Sequence, residues 1–529
     1  MSLTAATTLP GDSLTDHARA PSPRRIGRAQ LAFVLIVIAA AVLRLYRIDG
    51  QSLWMDELYS VQSSNGWSPS DLPANVVLDP APDMMSLAGA RPVSEISASL
   101  ARGDNHPPLY FILLRLWRMA LGEGPAVMRG MSVLASLIAL ALLTDTTRLL
   151  YGWTPALWAA AIMAVAGPQV QYAQEVRGYA LLMAAGCGAM NAIVRIKLLG
   201  ATAPRLAALA LCLLAMVLTH FFAVGAAAGL TAYALIALRG DARRRTLAAM
   251  VVAALLFALL WGASTVRQFR NVEANNRYMI EGKDGAGARL LQRLATLPHR
   301  FFNEPMGSSA AIASLAGVTY LLPLLLLRRR PDLLLGTLYV AGGVGVIVAF
   351  DLFRTSGHLQ FMRYTLVAAP GAYLLTVGLL ADRRGWLRHV VPAVVVASCL
   401  LSLGRAYKYF IPVKVNWRAP IAAAAPLLGP RDALILTGQP NTTWYLAISY
   451  YHPAGPRRLL MLTAPLTADR AAEVMAGSER ICVVGGRDPT DGIAAFVGDA
   501  PLASYPEPLV PPIVVFPHAA APARTDVAP

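Results

Sequence analysis

Long apolar stretches separated by short basic segments dominate this chain. Runs at about 30–46, 128–145, 153–170, 178–194, 206–238, 246–263, 310–327, 332–350, 361–380 and 387–403 carry few charges. Each except 206–238 has the length of one helix across a hydrocarbon core about 30 Å thick, at ~1.5 Å rise per residue. The stretch from Leu206 to Leu238 is too long for one crossing and has base at both ends, Arg205 before it and Arg239, Arg243, Arg244 and Arg245 after it. Two crossings with a turn near Thr219 and His220 put both basic ends on one side. The pattern predicts a mainly α, polytopic membrane protein of about eleven transmembrane helices.

The segment Pro107–Leu121 is apolar but contains Arg115, Trp117 and Arg118. Read as a span, it inverts every later loop and places the basic clusters outside. Read as a helix lying in the interface, it leaves them all on the cytoplasmic side, where short loops carry the Lys/Arg excess. That side then holds Arg148, then Arg195, Lys197 and Arg205, then Arg239 and Arg243–Arg245, then Arg328–Arg330, then Arg383, Arg384 and Arg388. The short turns opposite hold only Arg177, Arg354 and Arg363. Arg24, Arg25 and Arg28 precede the first apolar run, which lacks a small-residue cleavage site. Residues 1–28 therefore read as a disordered cytoplasmic tail before a retained signal anchor. The protein is expected in the plasma (inner) membrane, N terminus cytoplasmic and C terminus external or periplasmic.

Composition agrees with this pattern. The 529 residues are 56% hydrophobic and 14% charged, with mean hydropathy +0.51; a soluble domain carries about 25% charged residues. The net charge of +16 does not indicate a nucleic-acid partner, because the basic residues lie in clusters between spans and not along one face. Cys187, Cys212, Cys399 and Cys482 form no metal pattern and no evident disulfide framework. After Gly404 the pattern becomes that of a soluble unit. Ala433–Thr437 and Ile481–Gly485 read as buried strands, with helical stretches near 417–427, 441–451 and 467–477. This predicts a small external α/β domain over 405–517 and a disordered tail over 518–529. The Gly485-Gly486 turn lacks the spacing of a nucleotide-binding loop.

The topology gathers the unusual polar residues on the external face. The first external loop, 47–127, contains Asp56 and Glu57 within Ser-Leu-Trp-Met-Asp-Glu-Leu-Tyr-Ser (52–60), and Asp104 and His106 before Pro107-Pro108-Leu109-Tyr110. Gln174, Glu175 and Arg177 follow the third helix, His220 sits at a helix turn, and Arg363-Tyr364 follow the ninth. Arg267, Arg270, Arg277 and Lys283 read as a solvated loop surface. Charges at a membrane boundary are expensive to keep and mark candidate sites. Sugar transfer from a lipid phosphate needs a carboxylate to take the acceptor's proton and cations to hold the departing phosphate. Asp56 suits the base; Arg177, His106 and Arg363 suit the phosphate. A transporter or a scaffold for the external domain would also have many helices. A transporter, however, should have paired halves with broken helices near the midplane, and no such repeat is evident.

The order Trp-x-Asp-Glu (54–57), His-Pro-Pro-Leu-Tyr (106–110), Tyr-Ala-Gln-Glu-Val-Arg (172–177) and Arg363-Tyr364 resembles the dolichyl-phosphate-mannose protein mannosyltransferase-like family. Relatives of that family transfer aminoarabinose or galacturonic acid to lipid A, and the resemblance covers roughly residues 28–405. It implies a GT-C catalytic domain over 29–404, an inverting glycosyltransferase using a polyprenyl-phosphate sugar, and a lipid, glycan or protein acceptor. Asp56 matches the family's catalytic aspartate, with Glu57 and Glu175 as further catalytic candidates, Glu175 standing where an aspartate is more usual. His106, Arg177, Arg363 and Tyr364 become candidates for the donor phosphate, and Asp104, Gln174 and His220 for other site roles. His106 stands where the lipid A branch has a lysine. No cofactor is assigned, and a divalent cation beside the carboxylates is left open.

Overall fold

The computed structural model describes residues 27–275, 286–303, 325–382, 385–408, 415–437, 441–485, 503–507 and 510–517. The tail before Gly27, most of the expected span at 310–327, Arg277, Lys283, Arg383, Arg384, Gly486 and the tail after Pro517 lie outside the described residues.

Among the described residues, six helices are long and apolar enough to cross a membrane: Arg28–Leu45, Pro125–Tyr151, Tyr179–Leu199, Gly240–Arg270, Pro331–Arg354 and Leu387–Gly404. The stretch 206–238 divides as expected, into Ala203–Thr219 and Ala223–Ala237 with the turn at His220. Small residues let the second of these lie against Leu334–Arg354. A Cβ on Gly342 would overlap the Gly225 carbonyl, so only glycine permits this approach.

Two expected spans are broken, each at a proline. The run 153–170 is helical over Trp153–Val165 and again over Gly167–Ala173, with Ala166 extended between them. Pro168 has no N–H to give to the Ala164 carbonyl. That carbonyl instead accepts from Arg44 Nη1 at 2.9 Å, and Met163 O accepts from Arg44 Nη2 at 3.0 Å. Arg44, wholly buried, also donates to Ser136 Oγ at 2.8 Å, tying three helices together. The run 361–380 breaks into Met362–Thr365, a 3-10 turn Leu366–Ala368 and Ala369–Gly378, with Pro370 in the first turn of the last piece.

The segment expected to lie in the interface is a 13-residue helix, Leu109–Leu121, about 20 Å long and too short to span. Its arginines face inward: Arg115 Nη1 donates to Asn65 Oδ1 at 2.8 Å, and Arg118 donates to Ser64 Oγ, Asn65 Oδ1, Met85 O and Glu123 Oε2. Leu116, Met119 and Leu121 face outward and are exposed.

The C-terminal part carries a six-stranded sheet in the order β1-β3-β2-β4-β6-β5. The strands are β1 Val77–Leu78, β2 Ala433–Leu436, β3 Arg458–Met461, β4 Arg480–Val484, β5 Ala503–Glu507 and β6 Val510–Pro517. β2 is parallel to β3 and β4; β1 and β6 pair antiparallel. Side chains alternate between two cores, as period two requires. Leu434, Leu436, Leu459, Cys482, Val484, Ile513 and Val515 pack toward the first loop and helix Asn441–Tyr451. Ala433, Ile435, Leu460, Ile481, Val483, Val514 and Phe516 pack with Ala471, Val474 and Met475 of helix Ala468–Met475.

The division of loop 47–127 from 405–517 does not hold in the sheet, because β1 comes from that loop. Further contacts join the two parts: Leu53 N donates to Tyr451 Oη at 2.6 Å, Ser52 Oγ to Val415 O at 2.9 Å, Tyr450 Oη to Glu123 O at 2.9 Å, and Arg458 pairs with Asp79. Leu53, Leu58, Val61, Met84 and Met85 of this loop share one apolar core with the sheet and helix Asn441–Tyr451.

Candidate active site

The candidate residues converge at one end of the helical bundle, where Arg28–Leu45, Ala203–Thr219 and Leu334–Arg354 end and Pro125–Tyr151, Tyr179–Leu199 and Ala223–Ala237 begin. Asp56 and Glu57 open helix Met55–Ser64, where acidic groups in the first turn are favoured by the helix dipole. Consecutive helix positions point about 100° apart, so the two carboxylates take different partners.

Glu57 points into the protein and is wholly buried. Its oxygens accept from Arg129 Nε and Nη2, both at 2.8 Å, from Val176 N at 2.8 Å and from Trp54 N at 3.2 Å. Arg129 is 2% exposed and spends its remaining donors on the carbonyls of Ile48, Gln51 and Ser52. This fork fixes the loop before Asp56 and the turn before Arg177 against the start of Pro125–Tyr151.

Asp56 points to the open side. Its Oδ2 accepts from Arg363 Nη1 at 3.0 Å, with the two side chains 17% and 16% exposed. Its Oδ1 accepts no hydrogen bond among the described residues. Arg363 also lies 4.9 Å from the Phe361 ring centroid and 5.4 Å from that of Tyr364, so its charge is held over aromatic faces.

Arg177 lies on the other side of Asp56. Its Nη1 donates to Asp56 O at 3.3 Å and to Ser60 Oγ at 3.2 Å, and its Nη2 lies 2.9 Å from His106 Nε2. A guanidinium only donates, so Nε2 accepts and the His106 proton sits on Nδ1, which donates to Asp104 Oδ1 at 2.6 Å. Burial alone would raise the Asp104 carboxyl; the contact with His106 and the charge of Arg177 outweigh it and hold that carboxyl below its ordinary value. Gln268 Nε2 clamps this segment from above through the carbonyls of Leu100, Asp104 and His106. Asp104 and His106 thus form a relay that sets the position of Arg177, with both His106 nitrogens already engaged.

The remaining candidates divide. His220 faces His106 at 5.9 Å and Tyr364 at 6.0 Å between ring centroids. Burial, reinforced by His106, Arg177, Arg363 and His358, pushes it well below its ordinary value, so it is neutral at pH 7. Its Nδ1 accepts from Phe222 N at 3.2 Å. Gln174 turns away from the site: its Nε2 donates to the carbonyls of Leu43, Arg44 and Tyr46, closing the C-terminal end of the first helix. Glu175 is buried, and its main-chain carbonyl accepts from Ser132 Oγ at 2.6 Å. Among the described residues, no group of three or more His, Cys, Asp or Glu could hold a metal ion. Asp56 and Glu57 are instead engaged by guanidiniums, which does not fit a cation shared between them.

Sequence reading missed three contributors. Arg129 sits within the first two turns of a membrane-length helix, and a charge there signals a buried partner. Asp351, at the end of Leu334–Arg354, accepts from Ser356 Oγ at 2.8 Å and from the amides of His358 and Leu359 at 2.9 and 2.8 Å, shaping the turn that carries Arg363. Gln268 gives no sequence signal, since a glutamine beside Arg267 and Arg270 in a stretch read as a solvated loop is ordinary.

No protein-family model matches the chain, and no curated protein matches it. Among solved structures it is similar to ArnT from Cupriavidus metallidurans in the apo state, at 14% identity and TM-score 0.47, over 92% of this chain and 98% of that one. The Archaeoglobus fulgidus oligosaccharyltransferase tethered with an acceptor peptide is similar at 10% identity and TM-score 0.49, over 86% and 69%. The S. cerevisiae protein O-mannosyltransferase Pmt1-Pmt2 complex bound to the sugar donor is similar at 14% identity and TM-score 0.33, over 50% and 36%. At these values the likenesses assign no role to any residue here.

Breaking a buried ion pair by removing one partner costs about 3–5 kcal/mol. Arg129→Ala is therefore expected to lower the melting temperature in detergent by many degrees, with Glu57→Gln milder because the amide oxygen still accepts from Val176 N. An Arg129→Ala protein that melts with the parent would remove the pair from its structural role.

Proposed function

We propose that the chain is a membrane glycosyltransferase that moves a sugar from a polyprenyl-phosphate donor to an envelope acceptor at the outer face of the membrane. The observation that carries this reading is Asp56, a half-open carboxylate with one unengaged oxygen, paired with Arg363 while Arg177 holds the main-chain carbonyl of the same residue. The motif order that resembles the mannosyltransferase-like family supports it independently.

The chemistry follows from the charges. The acceptor hydroxyl or amine attacks C1 from the face opposite the phosphate, and its proton passes to Asp56 Oδ1. The bond from C1 to the phosphate oxygen breaks, its electron pair stays on the lipid phosphate, and the configuration at C1 inverts. Arg177 and Arg363 stabilise the charge that develops on that phosphate, the step where fixed donors in a poorly solvated site act most strongly. Arg177, aligned by the Asp104–His106 relay, needs little reorganisation to do so. His106 acts through Arg177 and does not itself bind phosphate, whereas Tyr364 borders the site beside Arg363. Glu57 positions Asp56 and takes no proton.

General-base catalysis contributes roughly 10²–10⁴-fold. Asp56→Asn keeps the shape but not the basicity, so transfer is expected to fall by that factor with an unchanged melting temperature. Activity within about threefold of the parent would exclude Asp56 as the base. The sidedness has its own test. A cysteine at Ala120, exposed on the interfacial helix, is expected to react with a membrane-impermeant thiol reagent from outside. Labelling only after permeabilisation would reverse the proposed orientation. Gly122, with φ +107, is a poorer choice because an L side chain is strained there.

A further inference from the structure

The structure separates two arginine–carboxylate pairs by how firmly they are held. Arg129 and Glu57 are sealed, with every nitrogen of the guanidinium on a fixed acceptor. The Arg363–Asp56 pair faces the open side, and the main chain under Arg363 is anchored without help from Asp56. The turn just before it is held twice: Asp351 accepts from His358 N and Leu359 N, and Arg300 donates to the carbonyls of Leu359 and Gln360 at 3.0 and 2.7 Å. The Arg363 head can leave Asp56 while its backbone stays in place. Groups near it include Asp56 on Met55–Ser64, Arg177 on the 174–178 turn, Tyr179 at the start of Tyr179–Leu199, His220 at its helix end, and His358, Phe361 and Tyr364 on its own segment.

We propose that Arg363 is handed from Asp56 to the lipid phosphate during each turnover, so that one guanidinium couples the base to the leaving group. This rests on the glycosyltransferase reading above. In the resting protein Asp56, with charge −1, holds Arg363. The donor is a phosphodiester with a single negative charge and competes weakly for that cation. As the acceptor oxygen or nitrogen bonds to C1 and the C1–oxygen bond breaks, the proton neutralises Asp56. The electron pair leaves the phosphate as a monoester with a charge of up to −2. The attraction of Arg363 to Asp56 disappears in the same step in which its attraction to phosphate grows. When Asp56 later returns its proton to water it reclaims Arg363, which weakens the hold on the spent lipid phosphate and favours its release. Arg177 takes no part in the exchange, since Ser60, the Asp56 carbonyl and His106 fix it.

The test is a binding cycle with polyprenyl phosphate at pH 8 on the full chain in detergent, read by native mass spectrometry or calorimetry. Asp56→Asn removes the Asp56 charge beside Arg363 and is expected to bind polyprenyl phosphate about fivefold tighter or more, within the usual range of coupling between sites. Arg363→Gln is expected to bind about tenfold more weakly, as one charge-assisted bond is lost. In the Arg363→Gln background, Asp56→Asn is expected to give little or no gain; the double-mutant cycle isolates the part that passes through the guanidinium. An equal gain with and without Arg363 would mean simple charge removal and would overturn the exchange, as would no gain from Asp56→Asn alone. Transfer assays on Asp56→Asn keep the two ideas apart. Retained activity defeats the base assignment itself, whereas lost activity with unchanged affinity defeats only the exchange.

Discussion

The Glu57–Arg129 pair is the constraint on which the rest of this end of the molecule depends. Both side chains are out of water, and such a pair repays its desolvation only when every lone pair and proton is used. Here Glu57 accepts from Arg129, Val176 and Trp54, while Arg129 also binds three carbonyls of the chain leading into Asp56. One helix start, one loop and one turn are thereby locked together. Asp56 is the residue before Glu57 and Arg177 the residue after Val176, so the distance between carboxylate and cation is inherited from this fork.

Two neighbouring carboxylates consequently do different work. The buried one is committed to structure and the half-open one keeps an oxygen free for the proposed chemistry, a division set by the turn of a helix. The same economy recurs at Arg177, where the Asp104 carboxylate aligns His106 and the ring nitrogen of His106 accepts from a second cation. It recurs again at Arg44, which fills the carbonyls that the Pro168 break leaves open.

Much of this was legible in the sequence because the physics is local. Apolar runs of the right length mark helices, and the adjacent Asp56 and Glu57 mark the place where the polar residues gather. The turn at His220 and the short helix Leu109–Leu121 follow from length and from Arg115 and Arg118. What escaped was non-local. Val77–Leu78 is too short to announce itself as a strand and exists because Arg458–Met461 offers it an edge. Arg129 and Gln268 are ordinary residues until folding brings Glu57 and the Asp104 segment against them. The break at Ala166 needs both Pro168 and a guanidinium from another helix. Gln174, adjacent to Glu175 in a polar turn, reads as a site residue, yet its amide faces the first helix.

The central claim is that Arg363 and Arg177 hold a lipid phosphate beside Asp56. A structure determined with polyprenyl phosphate bound tests this most directly. The account predicts the phosphate in hydrogen-bond contact with both guanidiniums, the Arg363 head turned from Asp56 toward it, and the Glu57–Arg129 fork unmoved. A phosphate seated elsewhere, with the Arg363–Asp56 pair intact, would contradict it.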